Sequence, residues 1–393
     1  MKHVTSLSVA VLALSLLAGC GGSGTPTVTP PPPPPPPPKQ SGLPAGAAFL
    51  YVGDSVGMIH GFGIDPNSGN PIEMSGSPFA VTSQSAAADV GVAADAGGHV
   101  LYATSAGIGG PNVASFLVDQ TSGTLSVASQ LSLSVPARKL VAAVGGGSTG
   151  SGCCVYVIPD PSANTAELFT FTINKFTAAL TQVSPNVTLP CVPHDLAAAP
   201  SGAWIGITCD GTSGGEIVSL TRDAATGTLG TPVEVPTGGN SPQGIAITPD
   251  GSFVVAINQA TSNVSVFSLD SSTGALTAAS GSPFASGNQP GPVAIDPSGK
   301  FVFVGNTGGN TLSAYSIDSM GNLTPLSGTP IALGTNAQPS SIAVDHAGKF
   351  VFVSIVPQET AGFALDSSTG ALTPVTGSPF SLGSVTRDMA FVP

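Results

Sequence analysis

A unit of about 50 residues repeats seven times along most of this chain, and this repetition limits the possible folds more than any other feature. Each unit contains a run of mostly apolar residues, such as FVFV at positions 301–304. The runs start 48 to 54 residues apart, at Phe49, Val100, Cys154, Trp204, Phe253, Phe301 and Phe350. A fixed period of this length is typical of proteins that stack one structural module against copies of itself.

Turn signals divide each unit into four short strands. In the unit that starts at Phe253, an alternating stretch at 263–270 follows the apolar run, and Gly274 closes the next turn. The stretch 275–277, the segment GSPF at 281–284 and an apolar strand that begins at Pro292 complete the unit. Four short strands linked by turns form an antiparallel sheet. Seven such sheets predict an all-β fold, namely a seven-bladed β-propeller with four antiparallel strands per blade.

The two ends of the repeat region predict how the ring closes. The region starts with an apolar run that corresponds to the second strand of a blade. Residues 389–392, MAFV, match the innermost strand of the other units. We therefore expect the C-terminal strand to complete the first blade as its innermost strand, which leaves no sheet edge exposed at the junction.

The composition excludes several other classes of protein. Gly and Pro number 51 and 37 among 393 residues and only 8% of residues are charged, which argues against helical bundles and coiled coils. An apolar fraction of 41% argues against a disordered chain. The net charge of −12, from nine Lys plus Arg and 21 Asp plus Glu, argues against nucleic acid as a partner.

The N-terminus resembles a bacterial lipoprotein signal peptide. Lys2 and an apolar run at 4–17 precede the sequence LAGC, which resembles the lipobox whose cysteine, here Cys20, becomes lipidated. Gly21 follows where an Asp would favour retention in the inner membrane, so this resemblance favours the outer membrane in a cell that has one. An ordinary secretory signal with a chance cysteine is the alternative. The apolar run is short for a permanent membrane-spanning helix.

A spacer follows the predicted anchor. Residues 30–38 are nine consecutive prolines, and such a run forms a polyproline II rod of roughly 28 Å. A ligand for a proline-recognition domain is a second interpretation of the same run. The predicted organisation is a lipoprotein signal peptide at 1–20, a linker at 21–48 and the propeller at 49–393, exported and lipid-anchored in the cell envelope.

Many of the acidic residues have a structural explanation. An Asp in a tight turn accepts hydrogen bonds from the backbone N–H groups of that turn. One set precedes turns that end in Gly or another small residue: Asp65, Asp119, Asp223, Asp270, Asp318 and Asp366. A second set occupies the turn between the first two strands of a unit: Asp95, Asp250, Asp296 and Asp345.

Scarce basic residues fall together near one end of the innermost strands. Aligning the units brings into one column the residues of the loops that enter these strands: Val90, Arg138, His194, Gln243, Gly291, Ser340 and Arg387. Lys139, Asp195 and Asp388 directly follow three of them. This end borders the central channel of a propeller, so Arg138, Lys139 and Arg387 predict a small anion pocket there. Solvated loop charges paired with Asp195 or Asp388 are the alternative.

Several motifs of the units have counterparts in known proteins. FxYV-like runs, SIDxxTGxLT-like segments, GSPF-like segments and PxxIAVDPxGKF-like segments recur over residues 49–393. In these motifs the chain resembles the seven-bladed propellers of the lactonase family, which includes 6-phosphogluconolactonase-type enzymes, and the related YVTN-type surface repeats. The resemblance implies a propeller fold and, for an enzyme, hydrolysis of a lactone without a metal.

The resemblance also indicates which residues would be catalytic. The family has a Pro-His element in one blade, which Pro193 and His194 resemble. It has a PRH-like element in another, which Arg138 and Lys139 resemble with an inserted residue and with Lys in place of His. Lactone hydrolysis needs a base for the attacking water and a donor for the developing oxyanion. His194 is the candidate base, and Arg138 or Arg387 is the candidate donor.

The sequence also predicts which other residues contact a ligand and whether a cofactor binds. The predicted ligand contacts are Lys139, Asp195, Gln243 and Asp388. The five histidines include no pair with metal-ligand spacing, and the sequence has no phosphate-binding glycine motif, so we predict neither a metal nor another cofactor.

The cysteines fit an oxidising compartment. Cys191 and Cys209 lie nearly symmetrically about a turn at 200–202, which predicts that they face each other and form a disulfide near His194. Cys153 and Cys154 begin a strand elsewhere, where they either remain thiols or form a vicinal bond.

Two functions are consistent with these features. The leading hypothesis is a lipid-anchored, monomeric binding scaffold of the cell envelope, whose partner is a protein, a glycan or a small anion. The alternative is a hydrolase of sugar or acyl lactones at the channel mouth. A purely structural role in envelope assembly is a third interpretation.

Overall fold

Strands make up nearly all the regular structure of the residues that the structure describes. The computed structural model describes residues 42–81, 89–107, 112–143, 151–174, 176–357, 359–382 and 385–392, with only the backbone of residues 151–153. The predicted signal peptide, most of the linker and the candidate lipidation site Cys20 lie outside these residues. Within the described part, no helix has the length and apolar character needed to cross a membrane.

The strands form seven antiparallel sheets, here called blades A to G. Blade A contains β1 (Ala48–Asp54), β2 (Met58–Ile64), β3 (Pro71–Glu73), β4 (Phe79–Ala80) and the C-terminal β31 (Thr386–Val392). Blade B contains β5 (Val90–Ala94), β6 (Val100–Ser105), β7 (Val113–Val118) and β8 (Leu125–Leu131). Blade C contains β9 (Ala137–Ala142), β10 (Ser151–Pro159), β11 (Glu167–Asn174) and β12 (Leu180–Thr188), with a single 3-10 turn at Pro161–Ala163.

The remaining four blades follow in chain order. Blade D contains β13 (Pro193–Ala198), β14 (Trp204–Gly211), β15 (Gly214–Thr221) and β16 (Val233–Pro236). Blade E contains β17 (Pro242–Ile247), β18 (Phe253–Asn258), β19 (Asn263–Asp270), β20 (Ala275–Ala278) and β21 (Phe284–Ala285). Blade F contains β22 (Pro290–Ile295), β23 (Phe301–Asn306), β24 (Thr311–Ile317), β25 (Leu323–Pro325) and β26 (Ile331–Ala332). Blade G contains β27 (Gln338–Val344), β28 (Phe350–Val356), β29 (Glu359–Leu365) and β30 (Leu372–Pro374).

The ring closes through the last strand of the chain, as predicted. β31 pairs antiparallel with β1, so that Leu50 lies opposite Phe391 and Val52 lies opposite Met389. Blade A therefore takes its innermost strand from the C-terminus and its other strands from the N-terminal end of the propeller. The seven-bladed, all-β fold is confirmed.

The core lies between the blades, because each sheet has both faces covered. Every residue of β6 and of β23 is buried, which explains why the apolar runs lack a polar face. Apolar clusters join neighbouring blades around the ring; one of them packs Phe303 of blade F against Val351 and Phe363 of blade G.

A repeated contact links each blade to the next at the end opposite the column of basic residues. The turn between the third strand and the outer strand has a residue with positive φ, and it packs against the second or third strand of the preceding blade. In blade G, Gly370 has a φ of +75° and lies against Phe301 of blade F. The Tyr51 hydroxyl donates to the Gly123 carbonyl, and the Tyr156 hydroxyl donates to the Gly227 carbonyl.

The predicted turn acids have the structural role that their positions indicated. The Oδ1 atom of Asp296 accepts hydrogen bonds from the backbone N–H groups of Lys300 and Phe301 at 2.8 and 2.7 Å. Backbone hydrogen bonds from Ser122 and Thr226, together with the hydroxyls of the same residues, lower the pKa of Asp119 and Asp223 respectively. These carboxylates are therefore part of the turns.

We expect the glycine contact between blades to control stability. A Cβ atom at Gly370 would lie 2.5 Å from the Leu326 side chain and 2.6 Å from the Phe301 ring. Gly370→Ala should lower the free energy of unfolding by about 1 kcal/mol from its positive φ and by a further 1–3 kcal/mol, roughly, from overpacking, as measured by urea denaturation. Gly328→Ala is the matched control, because Gly328 has a φ of +81° and a Cβ atom added there would have no other atom within 4 Å. Equal losses for the two variants would contradict the packing role.

Candidate functional site

A β-bulge occurs at the same position in six of the seven innermost strands. In blade D, Pro193 pairs with Cys209 and Asp195 pairs with Thr208, so His194 is an extra residue with no partner in the ladder. The residues at the other five bulges are Arg138, Gln243, Gly291 with Pro292, Ser340 and Arg387. A bulge redirects the side chain of the extra residue away from the regular alternation of the strand. The aligned column therefore lies within the strands at bulges, and not in the preceding loops as the alignment had indicated.

These bulged residues line one cavity at the mouth of the central channel. The cavity has a volume of about 420 Å³, and its wall includes all six bulge positions. Blade B is the exception, since β5 pairs with β6 without a bulge. Its column residue, Val90, is buried in the core between blades A and B.

A row of charged residues next to the bulges crosses the channel. Nζ of Lys139 in blade C lies 2.9 Å from Oδ1 of Asp388 in blade A, past the intervening blade B. Blade B has Gly91 in this row, where a Cβ atom would lie 2.3 Å from the backbone oxygen of Arg138. Close packing of the innermost strands therefore requires a glycine at position 91. The missing side chain also leaves room for Lys139 to reach Asp388.

The two carboxylates of this row also bind the edges of neighbouring strands. Asp388 accepts hydrogen bonds from the Val92 backbone N–H at 3.2 Å and from the Ser341 hydroxyl at 3.0 Å. Asp195 accepts hydrogen bonds from the Leu196 backbone N–H at 2.9 Å and from the Ile245 backbone N–H at 3.2 Å. Both acids thus tie one blade to the next on the channel side, where the strand edges have no ladder partner.

Burial and neighbouring charges shift the pKa values of Lys139 and Asp195 in opposite directions. Burial alone would lower the pKa of Lys139, but the carboxylates of Asp388 and Asp195 outweigh it and raise that pKa. Burial raises the pKa of Asp195, and the nearby Lys139 ammonium only partly offsets that rise. Lys139 is therefore a permanent cation at neutral pH.

His194 has different partners at its two ring nitrogens. Nε2 lies 3.3 Å from Oδ2 of Asp210, and Nδ1 lies 3.4 Å from the Gln243 side-chain nitrogen. The histidine is largely buried, with 15% of its side chain exposed, whereas Asp210 is 54% exposed. The Gln243 amide also donates to the Ser241 hydroxyl at 3.3 Å.

The two arginines of the cavity differ in their availability. Nε of Arg387 lies 2.9 Å from Oδ1 of Asp89, and this ion pair is exposed. Within the part of the chain that the structure describes, the Arg138 guanidinium has no ion-pair partner. Among the described residues of the cavity, Arg138 is therefore the cation that is free to bind an anion.

The opposite side of the cavity is neutral. Blades E, F and G contribute no ionisable side chain to the cavity wall among the described residues. Its lining there combines amides and hydroxyls with apolar groups: Gln243, Ile245, Gln259, Gly291, Pro292, Val293, Thr307, Gln338, Pro339, Ser340, Ser341, Ile342 and Val356. The charged side belongs to blades A, C and D, so the cavity is chemically asymmetric.

A disulfide joins Cys191 and Cys209, whose Cα atoms are 5.9 Å apart. Both residues are buried in the cluster between blades C and D, and Cys154 packs in the same cluster. The side chain of Cys153 lies outside the described residues. The crosslink lies next to the site, because Cys209 directly precedes Asp210 and Cys191 is three residues before His194.

All seven candidate catalytic and ligand-contact residues line this cavity: Arg138, Lys139, His194, Asp195, Gln243, Arg387 and Asp388. Asp89 and Asp210, which pair with Arg387 and His194, were not among the residues predicted from the sequence. Asp210 had one available signal, because it directly follows Cys209, and the predicted disulfide brings Cys209 near the segment that contains His194. Asp89 directly precedes Val90 of the aligned column, whereas the predicted contacts are column residues and the residues that directly follow them.

The fold and the site define a class of protein, a seven-bladed propeller with a cation-lined polar cavity at its channel mouth. A family model described as lactonase, 7-bladed beta-propeller matches residues 164–287 and 278–387. These matches cover more than half of the chain, and the chain belongs to this family.

Solved structures have the same architecture. The periplasmic gluconolactonase of Pseudomonas aeruginosa has a TM-score of 0.70 and 18% identity, covering 88% of this chain and 99% of that chain. The candidate 6-phosphogluconolactonases of Bacteroides fragilis and Bacteroides uniformis have TM-scores of 0.71 and 0.69, with 17% and 14% identity. They cover 89% and 88% of this chain and 99% of their own chains. No curated protein matches the chain in sequence at a significant level.

We expect the ion pair across the channel to stabilise the ring. Lys139→Met leaves the buried Asp388 carboxylate without its cation and should lower the free energy of unfolding by about 3 kcal/mol in urea. Lys300→Met, at an exposed lysine, should stay within about 0.5 kcal/mol of the wild type. Because the pKa of Lys139 is raised, its contribution should be present at neutral pH and decline as the pH rises past about 10.4 toward the folded-state pKa. A Lys139 variant as stable as the Lys300 variant would contradict this role.

Proposed function

We propose that the protein hydrolyses a lactone in the channel-mouth cavity. The observation that carries the proposal is that one cavity combines a largely buried histidine, His194, with Arg138, a cation without an ion-pair partner among the described residues. Lactone hydrolysis needs a base and an oxyanion donor. Family membership supports the same reaction. The gluconolactonase and 6-phosphogluconolactonase names of the similar structures support a sugar lactone as the substrate.

The proposed reaction assigns one role to each side chain. His194 takes a proton from a water molecule as the water oxygen bonds to the lactone carbonyl carbon. The Arg138 guanidinium donates hydrogen bonds to the oxyanion that forms on the carbonyl oxygen. The carbon–oxygen bond of the ring then breaks, and His194 returns the proton to the leaving ring oxygen. The product is an open-chain hydroxy acid, and one water molecule is consumed.

The other residues of the cavity bind and organise in this proposal. Arg387 contacts the substrate near the rim, after exchanging part of its contact with Asp89. Lys139 organises the charged side of the cavity through its ion pair with Asp388, which compensates its charge. Asp195 and Asp388 hold Lys139 and the strand edges, and Gln243 holds His194 while presenting its amide to the substrate.

A lactone panel tests this proposal. Sugar lactones and acyl lactones should be offered to the wild type, with the released acid followed by pH-stat titration. We expect turnover of at least one lactone, and His194→Ala should reduce kcat/KM by about 100-fold or more. Arg138→Ala should cause a loss of similar size, and Arg138→Lys should recover only part of it, because lysine lacks the planar pair of donors.

The possible outcomes separate hydrolysis from binding. Absence of turnover across the panel, or turnover that His194→Ala leaves unchanged, would remove the hydrolase proposal. Calorimetric binding of a sugar acid that Arg138→Ala abolishes, without turnover, would instead support the scaffold function with a small anionic ligand.

We also propose that the protein works outside the cytoplasm, lipid-anchored through Cys20 in the cell envelope. The support is the lipobox-like sequence at 17–20. If the protein is exported, cytoplasmic phosphogluconolactone is not its substrate. Cys20→Ala should move the protein from the membrane fraction to the soluble exported fraction after cell fractionation. Recovery of both forms in the membrane fraction would count against the lipid anchor.

A further inference from the structure

The two nitrogens of His194 face different parts of the molecule. Gln243, next to Nδ1, lines the cavity, and Asp210, next to Nε2, is more than half exposed near the end of β14. Nδ1 therefore faces a residue of the cavity wall, and Nε2 faces Asp210.

The partners of His194 select one tautomer of the neutral ring. The Asp210 carboxylate only accepts hydrogen bonds, so the nitrogen that faces it, Nε2, carries the proton. The Gln243 amide nitrogen only donates, which matches a lone pair on Nδ1. A base that takes a proton from water in the cavity needs its lone pair at Nδ1, so the water replaces the 3.4 Å contact from the Gln243 amide when the base acts.

The contact between His194 and Asp210 depends on the backbone of both strands. His194 is the unpaired residue of a bulge, so the ladder alone does not fix its position. Asp210 is more than half exposed, and an exposed side chain is held weakly by a single hydrogen bond. The disulfide constrains both segments, because its two cysteines flank the hairpin next to these residues.

We propose that Asp210 is the positioning residue for His194, and that the Cys191–Cys209 disulfide holds the two segments at the distance this contact needs. The inference rests on the function proposed above for His194. It adds that the contact with Asp210 sets the Nε2–H tautomer of the base and that the crosslink is part of the catalytic geometry.

Other charged groups act on His194 and must be separated from Asp210. The ionisable side chains that share its cavity are Arg138 and Lys139 on β9, Asp195 on β13, and Arg387 and Asp388 on β31. Two of them, Lys139 and Asp388, are paired with each other. A test of Asp210 therefore needs a readout at the His194 ring itself.

The experiment measures the tautomer of His194 by nitrogen-15 NMR of the full chain labelled at histidine, with His194→Gln used to assign the signal. In the wild type we expect the Nε2–H form. Asp210→Asn should give a mixture of tautomers, because an amide both donates and accepts, and Asp210→Glu should restore much of the Nε2–H form. Glu234→Gln is the matched control, because Glu234 is exposed on the same blade and has no role in the site.

The crosslink is tested in the same way. Cys191→Ala with Cys209→Ala should also give mixed tautomers while near-ultraviolet circular dichroism shows an intact fold. Should this variant fail to fold, phosphine reduction of the wild type opens the crosslink, with later alkylation mapped to Cys191 and Cys209. The same treatment of Cys154→Ala separates this effect from that of the disulfide at Cys154.

Turnover is measured beside the spectra. On the lactone with the highest wild-type rate, Asp210→Asn should lower kcat by about 100-fold with KM within about twofold, as expected for a residue that orients a base.

Spectra that stay at pure Nε2–H in Asp210→Asn would overturn the role of Asp210, whatever the rates are. The same result in the crosslink-free protein would overturn the role of the disulfide. Tautomer changes without any lactone turnover in the wild type would support the positioning role while removing the hydrolase function.

Discussion

The unpaired inner edge of each innermost strand is the constraint on which the structure of the site depends. In a propeller blade, the first strand pairs on one side only, and its other edge faces the channel with free backbone groups. Asp195 and Asp388 bind such edge N–H groups, at Ile245 and Val92. The same two carboxylates surround Lys139, which pairs with a residue 249 positions away in the chain. The electrostatics of the cavity thus follow from how the ring satisfies its inner edge, and closure by β31 provides one of the two acids.

The bulges convert this backbone arrangement into a functional surface. Side chains of a regular innermost strand alternate between the two neighbouring blades and contribute to the core. An extra residue at one position interrupts the alternation, and the repeat places that interruption at the same height in six blades. Blade B shows what happens without it, since Val90 is buried between the blades. The arginines and the histidine reach the cavity because they occupy bulges.

The periodicity predicted the number of blades, the closing strand and the column of candidate residues, because each depends only on repeated spacing. Asp210 and Asp89 were not predicted, because each is defined by the side chain that it meets in space, Asp210 by His194 and Asp89 by Arg387. Pairing of the basic residues with Asp195 or Asp388 was predicted only as the alternative to an anion pocket, and the periodicity did not single out the pair between Lys139 and Asp388. This pair depends on the width of the channel and on the glycine at position 91, which have no signature in a single unit. The repeated spacing therefore determines the scaffold, and the residues that differ between the units determine the chemistry of the cavity.

The asymmetry of the cavity limits the kinds of ligand that its non-repeated residues can bind. Similar folds at 14–18% identity establish only the architecture, and propellers with this architecture host many functions. A symmetric ring of basic residues would suit a large polyanion. Here the ionisable groups belong to blades A, C and D, and the facing wall offers amides, hydroxyls and small apolar groups. A ligand that matches both walls has one polarised or anionic end and a neutral, hydroxyl-bearing body. A sugar lactone and its hydroxy acid product both meet this description, the first by its carbonyl and the second by its carboxylate.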